Sequence, residues 1–146
     1  MISNSFQRMS DRFILYVDDD PDDTELFCEV IKERHPGYTV KAANNGFEAI
    51  KQLHKGKSLH HLPCLIVMDI NMPIFNGKDA MLQIKRDNEF KKIPIVMFTT
   101  SPKQPDDSIF SDHGVDIIQK PANYDLLRTV VDNLLTRCLV NDHFSF

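Results

Sequence analysis

The sequence predicts an α/β fold, a doubly wound parallel sheet with helices on both faces. Three observations predict it. Apolar runs too short and too continuous for amphipathic helices recur along the chain. The stretches between them carry apolar residues at helical spacing. A length of 146 residues suits one domain, since domains run to roughly 100–200 residues.

Taken in order, Phe13–Val17 (FILYV) reads as a buried strand, and Leu26, Phe27, Val30 and Ile31 as the apolar stripe of the helix after it. Tyr38–Ala43 (YTVKAA) is less apolar and alternates, as an edge strand does, and Phe47, Ile50 and Leu53 form the next helical stripe. Leu65–Met68 (LIVM) is a second buried strand, followed by the stripe Ala80, Met81 and Ile84, and Ile95–Phe98 (IVMF) is a third. Thr100–Asp112 holds two prolines and only Ile109 and Phe110 as apolar anchors, which predicts a short, loosely held helix. Ile117–Ile118 reads as the last buried strand, and Leu126, Leu127, Val130, Val131, Leu134 and Leu135 as the face of a final helix. Pro21, Pro63, Pro73, Pro94 and Pro121 sit at junctions, while Gly37 and Gly114 shortly precede strands. Residues 1–11 and 138–146 read as tails around a domain spanning 12–137.

Composition narrows the functional classes. The formal net charge is −4 with no basic run, which argues against a nucleic-acid surface. No apolar run approaches the ~20 residues of a membrane span, and residues 1–12 contain no apolar signal core, so a cytoplasmic location is expected. Cys28, Cys64 and Cys138 are odd in number and widely spaced, so free thiols are expected, with neither a disulfide framework nor a zinc site. Six scattered histidines, His35, His54, His60, His61, His113 and His143, receive no catalytic or metal role. The acids are unequal in kind. Sixteen are Asp and five are Glu, and five of the Asp fall between Asp18 and Asp23.

Strand ends carry the chemistry. FILYV runs into Asp18 and Asp19, LIVM into Asp69, IVMF into Thr99, and Ile117–Ile118 into Gln119 and Lys120. Ligands of open α/β sheets bind at that C-terminal edge, so three carboxylates, a hydroxyl and an ammonium are expected to converge. Three carboxylates repel one another, and Lys120 offsets only one of them. Hard oxygen ligands with room for water and phosphate suit Mg²⁺. A carboxylate nucleophile, a metal, a lysine and a hydroxyl together make a phosphoryl-transfer site. Asp20, Asp22 and Asp23 read instead as caps and first-turn charges of the following helix.

With YVDDDPDD, LIVMDINMPIFNG, IPIVMFTTS and QKP in this order, the chain resembles the response regulator receiver domain of two-component signalling over about residues 12–137. The resemblance implies a flavodoxin-like, three-layer α/β/α fold with strand order 2-1-3-4-5. It implies that Asp69 is the phosphoacceptor and a metal ligand, Asp19 a direct ligand, Asp18 a ligand through water, and Asn71 a ligand through its backbone carbonyl. Thr99 becomes the switch hydroxyl and Lys120 the partner of the phosphoryl group. Pro73 and Gly77 match the loop after the phosphoacceptor, and a cis peptide bond is implied before Pro121. The implied cofactor is Mg²⁺. The implied partners are a sensor histidine kinase or histidine phosphotransfer protein and a downstream protein, with a homodimer left open. Within the family the connection Lys55–Pro63 and the run KRDNEFKKIP are most similar to stand-alone receivers paired with phytochrome-like sensor kinases. Limited self-phosphorylation and autodephosphorylation are expected, without the turnover of an enzyme.

Two departures stand out: Ile117 occupies the usual aromatic switch position, and Ala122 replaces a bulky residue, with Tyr124 nearby. Haloacid-dehalogenase-type phosphatases use a similar set but place a general acid two residues after the nucleophile, where this chain has Asn71. A flavin binder of the same topology needs a phosphate loop after the first strand, and DDDPDD repels phosphate. A degenerate receiver acting only as a scaffold is disfavoured because every site residue is present. The pattern ends near residue 137, so output is expected to pass through protein contacts.

Overall fold

The alternation of strand and helix resolves into a five-stranded, all-parallel sheet in the order β2-β1-β3-β4-β5. A computed structural model describes residues 12–100 and 107–138 of the chain. Its elements are β1 (Phe13–Val17), α1 (Pro21–Arg34), β2 (Thr39–Ala43), α2 (Gly46–Ser58), β3 (Leu65–Asp69), α3 (Gly77–Arg86), β4 (Ile95–Thr99), α4 (Asp107–Asp112), β5 (Asp116–Gln119) and α5 (Tyr124–Leu134), with a 3₁₀ turn at Phe90–Lys92. The expected tails, apart from Cys138, and residues 101–106 of the Thr100–Asp112 segment lie outside the described residues.

Strand side chains alternate between faces, so the sheet divides the core in two. Leu15, Val17, Ile66, Met68, Ile95 and Met97 pack with Ile50 and Leu53 of α2, Ala80, Met81 and Ile84 of α3, and Phe110 of α4. Ile14, Tyr16, Leu65, Val67, Val96 and Phe98 pack on the other face with Phe27, Val30 and Ile31 of α1 and Leu127, Val131 and Leu134 of α5. β1, β3 and β4 are buried throughout, which is why they read as continuous apolar runs.

Three expectations need correction at the margins. Ile117–Ile118, read as a buried strand, is only half-buried because β5 is an edge strand with a single neighbour. Leu26, Phe47 and Leu126 belong to helical stripes by spacing yet are exposed, since each lies at the rim of a face that is buried only along its middle. No cis peptide bond occurs among the described residues, so the bond before Pro121 is trans.

Side-chain caps set the helix starts. Asp20 accepts from the Asp22 and Asp23 amides with Pro21 at the first helical position. Asn45, Asn76 and Asn123 cap α2, α3 and α5, each accepting an amide at 2.9 Å from three residues on. Gly114 has φ +70° and closes α4, with the Val115 amide returning to the Phe110 carbonyl at 2.9 Å. Between α1 and α5, Asp132 accepts from Arg34 Nε at 2.9 Å and lies 2.7 Å from His35 Nε2. Arg128 pairs with Glu33 at 3.3 Å, and the Tyr124 hydroxyl also donates to Glu33.

The expectation of three free thiols is also corrected. Cys64 and Cys138 form a disulfide with Cα atoms 4.9 Å apart across 74 residues, and Cys28 stays free. Spacing rules recognise local cysteine pairs, whereas here the fold carries the residue before β3 against the chain just beyond α5. Cys138, the first residue of the expected tail, is fully buried.

Closing so long a loop restricts the unfolded chain, so reduction, or Cys138→Ser, is expected to lower unfolding free energy by ~2–4 kcal/mol. Urea denaturation with and without reductant measures this, and the variant is expected to be insensitive to reductant. Gly77 tests packing. A Cβ there would stand 2.5 Å from the Asp69 carbonyl oxygen and 2.8 Å from the Ile70 Cα. Gly77→Ala is therefore expected to destabilise by ~1–3 kcal/mol in the same assay.

Candidate functional site

The register of the sheet brings the strand-end residues together. Asp18 follows β1, Asp69 ends β3 opposite Phe98, and Thr99 ends β4 opposite Gln119, so the carboxyl ends of four strands meet at one edge. Parity adds a direction. Asp18 continues the Ile14–Tyr16 side of β1, Asp69 the Leu65–Val67 side of β3, and Lys120 the Ile118 side of β5, all toward the face covered by α1 and α5.

One carboxylate oxygen each from Asp18, Asp19 and Asp69 lies within 4.8 Å of the others. Asp18 and Asp69 are buried and Asp19 is exposed, so the group opens on its Asp19 side to solvent. Next to it an open groove of about 600 Å³ runs between α1 and α2, lined by Asp18, Asp19, Thr24, Glu25, Asn44 and Glu48. Lys120, with 12% of its side chain exposed, reaches into the acids: its Nζ is 2.6 Å from Asp18, 2.7 Å from Asp23 and 3.6 Å from Asp69.

The predicted residues are placed as follows. The Asn71 amide donates to Asp69 Oδ1 at 3.0 Å and turns the chain directly after the acid. Thr99 is buried, and its carbonyl accepts the Lys120 amide at 2.7 Å, tying β4 to the lysine. Asp20 caps α1 and Asp22 and Asp23 lie in its first turn, as expected, and Asp23 in addition reaches Lys120 from the solvent side. The sequence alone marks Tyr16 only as part of a buried strand, yet its buried hydroxyl donates to Asp18 Oδ2 at 2.9 Å. A signal for it existed: in a strand, residue i−2 shares the face of residue i.

Electrostatics follow from this crowding. Burial holds the Asp69 carboxyl above the ordinary carboxylate value, and the charges of Asp18 and Asp19 add to that, while the Asn71 amide and Lys120 pull it back. Burial alone would lower the Lys120 ammonium, but hydrogen bonds to Asp18 and Asp23 and the charges of Asp18 and Asp69 outweigh it and hold it above its ordinary value. Burial, reinforced by the charge and hydrogen bond of Asp18, pushes the Tyr16 phenol up, so it stays protonated and donates. Three carboxylates whose oxygens lie this close, with one ammonium among them, keep a formal charge of −2 and suit a hard divalent cation.

The chain is similar to a set of known proteins. The family model described as "Response regulator receiver domain" matches residues 14–132. Response regulator Rre1 of Synechocystis sp. is 32% identical over 125 residues, covering 85% of this chain and 52% of that protein. Hybrid signal transduction histidine kinase I of Dictyostelium discoideum is 29% identical over 147 residues, covering 99% of this chain and 8% of that protein. The chain thus spans about half of one of these curated relatives and a small part of the other. Among solved structures, the phosphorylated cyanobacterial phytochrome response regulator RcpA is 29% identical with a TM-score of 0.76, covering 88% of this chain and 94% of that one. The Mn(2+)-bound form of response regulator Rcp1 is 27% identical with a TM-score of 0.73, covering 86% and 92%.

Removing the ammonium leaves buried carboxylates uncompensated. Lys120→Met is expected to destabilise the metal-free chain by ~3 kcal/mol. A raised folded-state pKa of a lysine means that its contribution is complete below about pH 10 and is lost only as pH rises through the folded value. The difference between variant and wild type is therefore expected to be level between about pH 6 and 9 in urea titrations.

Proposed function

The chain belongs to the response regulator receiver domain family, and from that premise we propose that residues 12–137 form a phosphoacceptor switch that takes a phosphoryl group on Asp69 from a histidine kinase or histidine phosphotransfer protein. The observation that carries this is the convergence of Asp18, Asp19 and Asp69 within 4.8 Å, with Lys120 Nζ 3.6 Å from Asp69. A carboxylate oxygen of Asp69 attacks phosphorus, the bond from phosphorus to the donor's imidazole nitrogen breaks, and the imidazole leaves with that electron pair and takes up a proton. Asp18, Asp19, Asp69 and the Asn71 carbonyl would hold Mg²⁺, which when bound supplies positive charge to the phosphoryl oxygens. The Mn(2+)-bound Rcp1 structure supports a divalent cation here.

Lys120 has a direct part. It already pairs with Asp18 and Asp23 while lying just outside close contact with Asp69, so a phosphoryl group on Asp69 offers it added negative charge to pair with. Thr99 then donates its hydroxyl to a phosphoryl oxygen and shifts a pre-existing equilibrium in the segment between β4 and β5. Moving such an equilibrium from 1:99 to 99:1 takes about 5.5 kcal/mol of differential interaction, within reach of a few charge-assisted hydrogen bonds. The output is a change of protein contacts with a downstream partner or a second copy of the chain. The same site supports slow self-phosphorylation and hydrolysis.

Incubation with a small phosphodonor and Mg²⁺, followed by intact mass measurement, tests the reading. One phosphate adduct is expected on wild type, none on Asp69→Asn, and strongly reduced labelling with a chelator. A wild-type chain that stays unlabelled by small donors and by histidine phosphotransfer proteins overturns it.

A further inference from the structure

The geometry points to Tyr16 as a positioning residue of the acidic site, one that fixes which carboxylate oxygen Asp18 presents to a divalent cation. This rests on the reading of Asp18 as a cation ligand. Tyr16 is 2% exposed, and its ring is held in place, stacked on Phe27 at 4.2 Å and 17° and set edge-on to Phe98 at 6.3 Å and 74°. A ring packed this way has no freedom to follow a moving acceptor, so the position of its hydroxyl is set by the core rather than by the site.

The carboxylate of Asp18 needs such a reference point. Rotation about the last torsion of an aspartate is soft and roughly two-fold, so an ion pair with a flexible lysine alone leaves its two oxygens interchangeable. Here they are distinguished. Among the described residues, Oδ2 accepts the Tyr16 hydroxyl at 2.9 Å and lies 2.6 Å from Lys120 Nζ, while Oδ1 accepts the Asp20 amide at 3.0 Å. A carboxylate has about four acceptor positions. Two on Oδ2 and one on Oδ1 are taken, which leaves the open position on Oδ1. A hydrogen-bond partner that orients a ligating group without touching the metal typically matters about 10–100-fold in metal affinity. Tyr16 stands in that relation to Asp18, from the strand and not from a loop.

The test is Mn²⁺ titration of the full chain by water-proton relaxation, with Tyr16→Phe keeping the ring and its stacking. The half-saturating Mn²⁺ concentration is expected to rise roughly tenfold. The rate of labelling by a small phosphodonor at saturating Mg²⁺ is expected to change far less than the Mg²⁺ concentration needed to reach it, a split that a general loss of structure does not produce. Tyr124→Phe removes a hydroxyl outside the site and is expected to leave metal affinity unchanged. Because Tyr16 acts through Asp18, adding Tyr16→Phe to Asp18→Asn is expected to change affinity less than about twofold. If wild type binds Mn²⁺ and Tyr16→Phe binds it equally well or better, this proposal falls and the phosphoacceptor reading stands. If Tyr16→Phe is equally damaging in the Asp18→Asn background, it falls too. A wild type that does not bind Mn²⁺ overturns both.

Discussion

The Lys120 ammonium among Asp18, Asp23 and Asp69 is the contact on which the rest of the structure depends. Ionised carboxylates at the end of a buried sheet are costly without compensation, and the cost grows with each neighbour of like charge. Lys120 lowers that cost and leaves it unfinished: one ammonium faces four carboxylates once Asp19 is counted. The fold tolerates the remainder because Asp19 and Asp23 lie toward solvent while Asp18 and Asp69 have amide donors behind them. A site left in negative balance favours whatever positive charge arrives, and that bias is what a cation-dependent phosphoacceptor requires.

Rigid elements hold this arrangement in place. Lys120 reaches Asp18 because β5 is anchored to β4 through its ladder and the Lys120 amide to Thr99 carbonyl bond. Asp23 reaches Lys120 because the Asp20 cap fixes where α1 begins. The Glu33 and Asp132 pairs then hold α1 against α5, the helix that follows Lys120 and Pro121. Surface pairs of this kind contribute little to stability singly. Their joint effect is geometric, keeping the two helices that flank the acidic edge in register. Gly77 does comparable work on the other side, letting the start of α3 lie against the Asp69 backbone.

Much of this was legible in the sequence, for identifiable reasons. Buried parallel strands are apolar throughout, so β1, β3 and β4 announced themselves, and the polar residue that ended each one marked the site. β5 misled because two isoleucines look the same in an edge strand as in a central one, and only strand order tells them apart. Helical spacing marks the stripes of α1, α2 and α5 but not their rims, where Leu26, Phe47 and Leu126 stand exposed. The Cys64–Cys138 bond joins points 74 residues apart and has no local signature. Tyr16 and Asp23 escaped because one resembled core and the other resembled helix-start charge, and each is that as well as a neighbour of the site.

On the reading proposed for Asp69, Ile117 limits how a signal leaves the site. It pairs in register with Met97 and packs half-buried against the α2 and α3 side of the core. A β-branched side chain has few rotamers and no ring to swing between an inner and an outer position. Coupling therefore needs another element with two arrangements. α4 fits that description best among the described residues. Its described residues, Asp107–Asp112, are held by buried Phe110, half-buried Ile109 and the Gly114 closure. Elements with few buried anchors belong to the low-stability end of a fold, and α4 lies between Thr99 and Lys120 in the chain. On the proposed reading, with isoleucine at position 117, the free-energy gap to be moved lies in the packing of this helix rather than in the rotation of one aromatic ring.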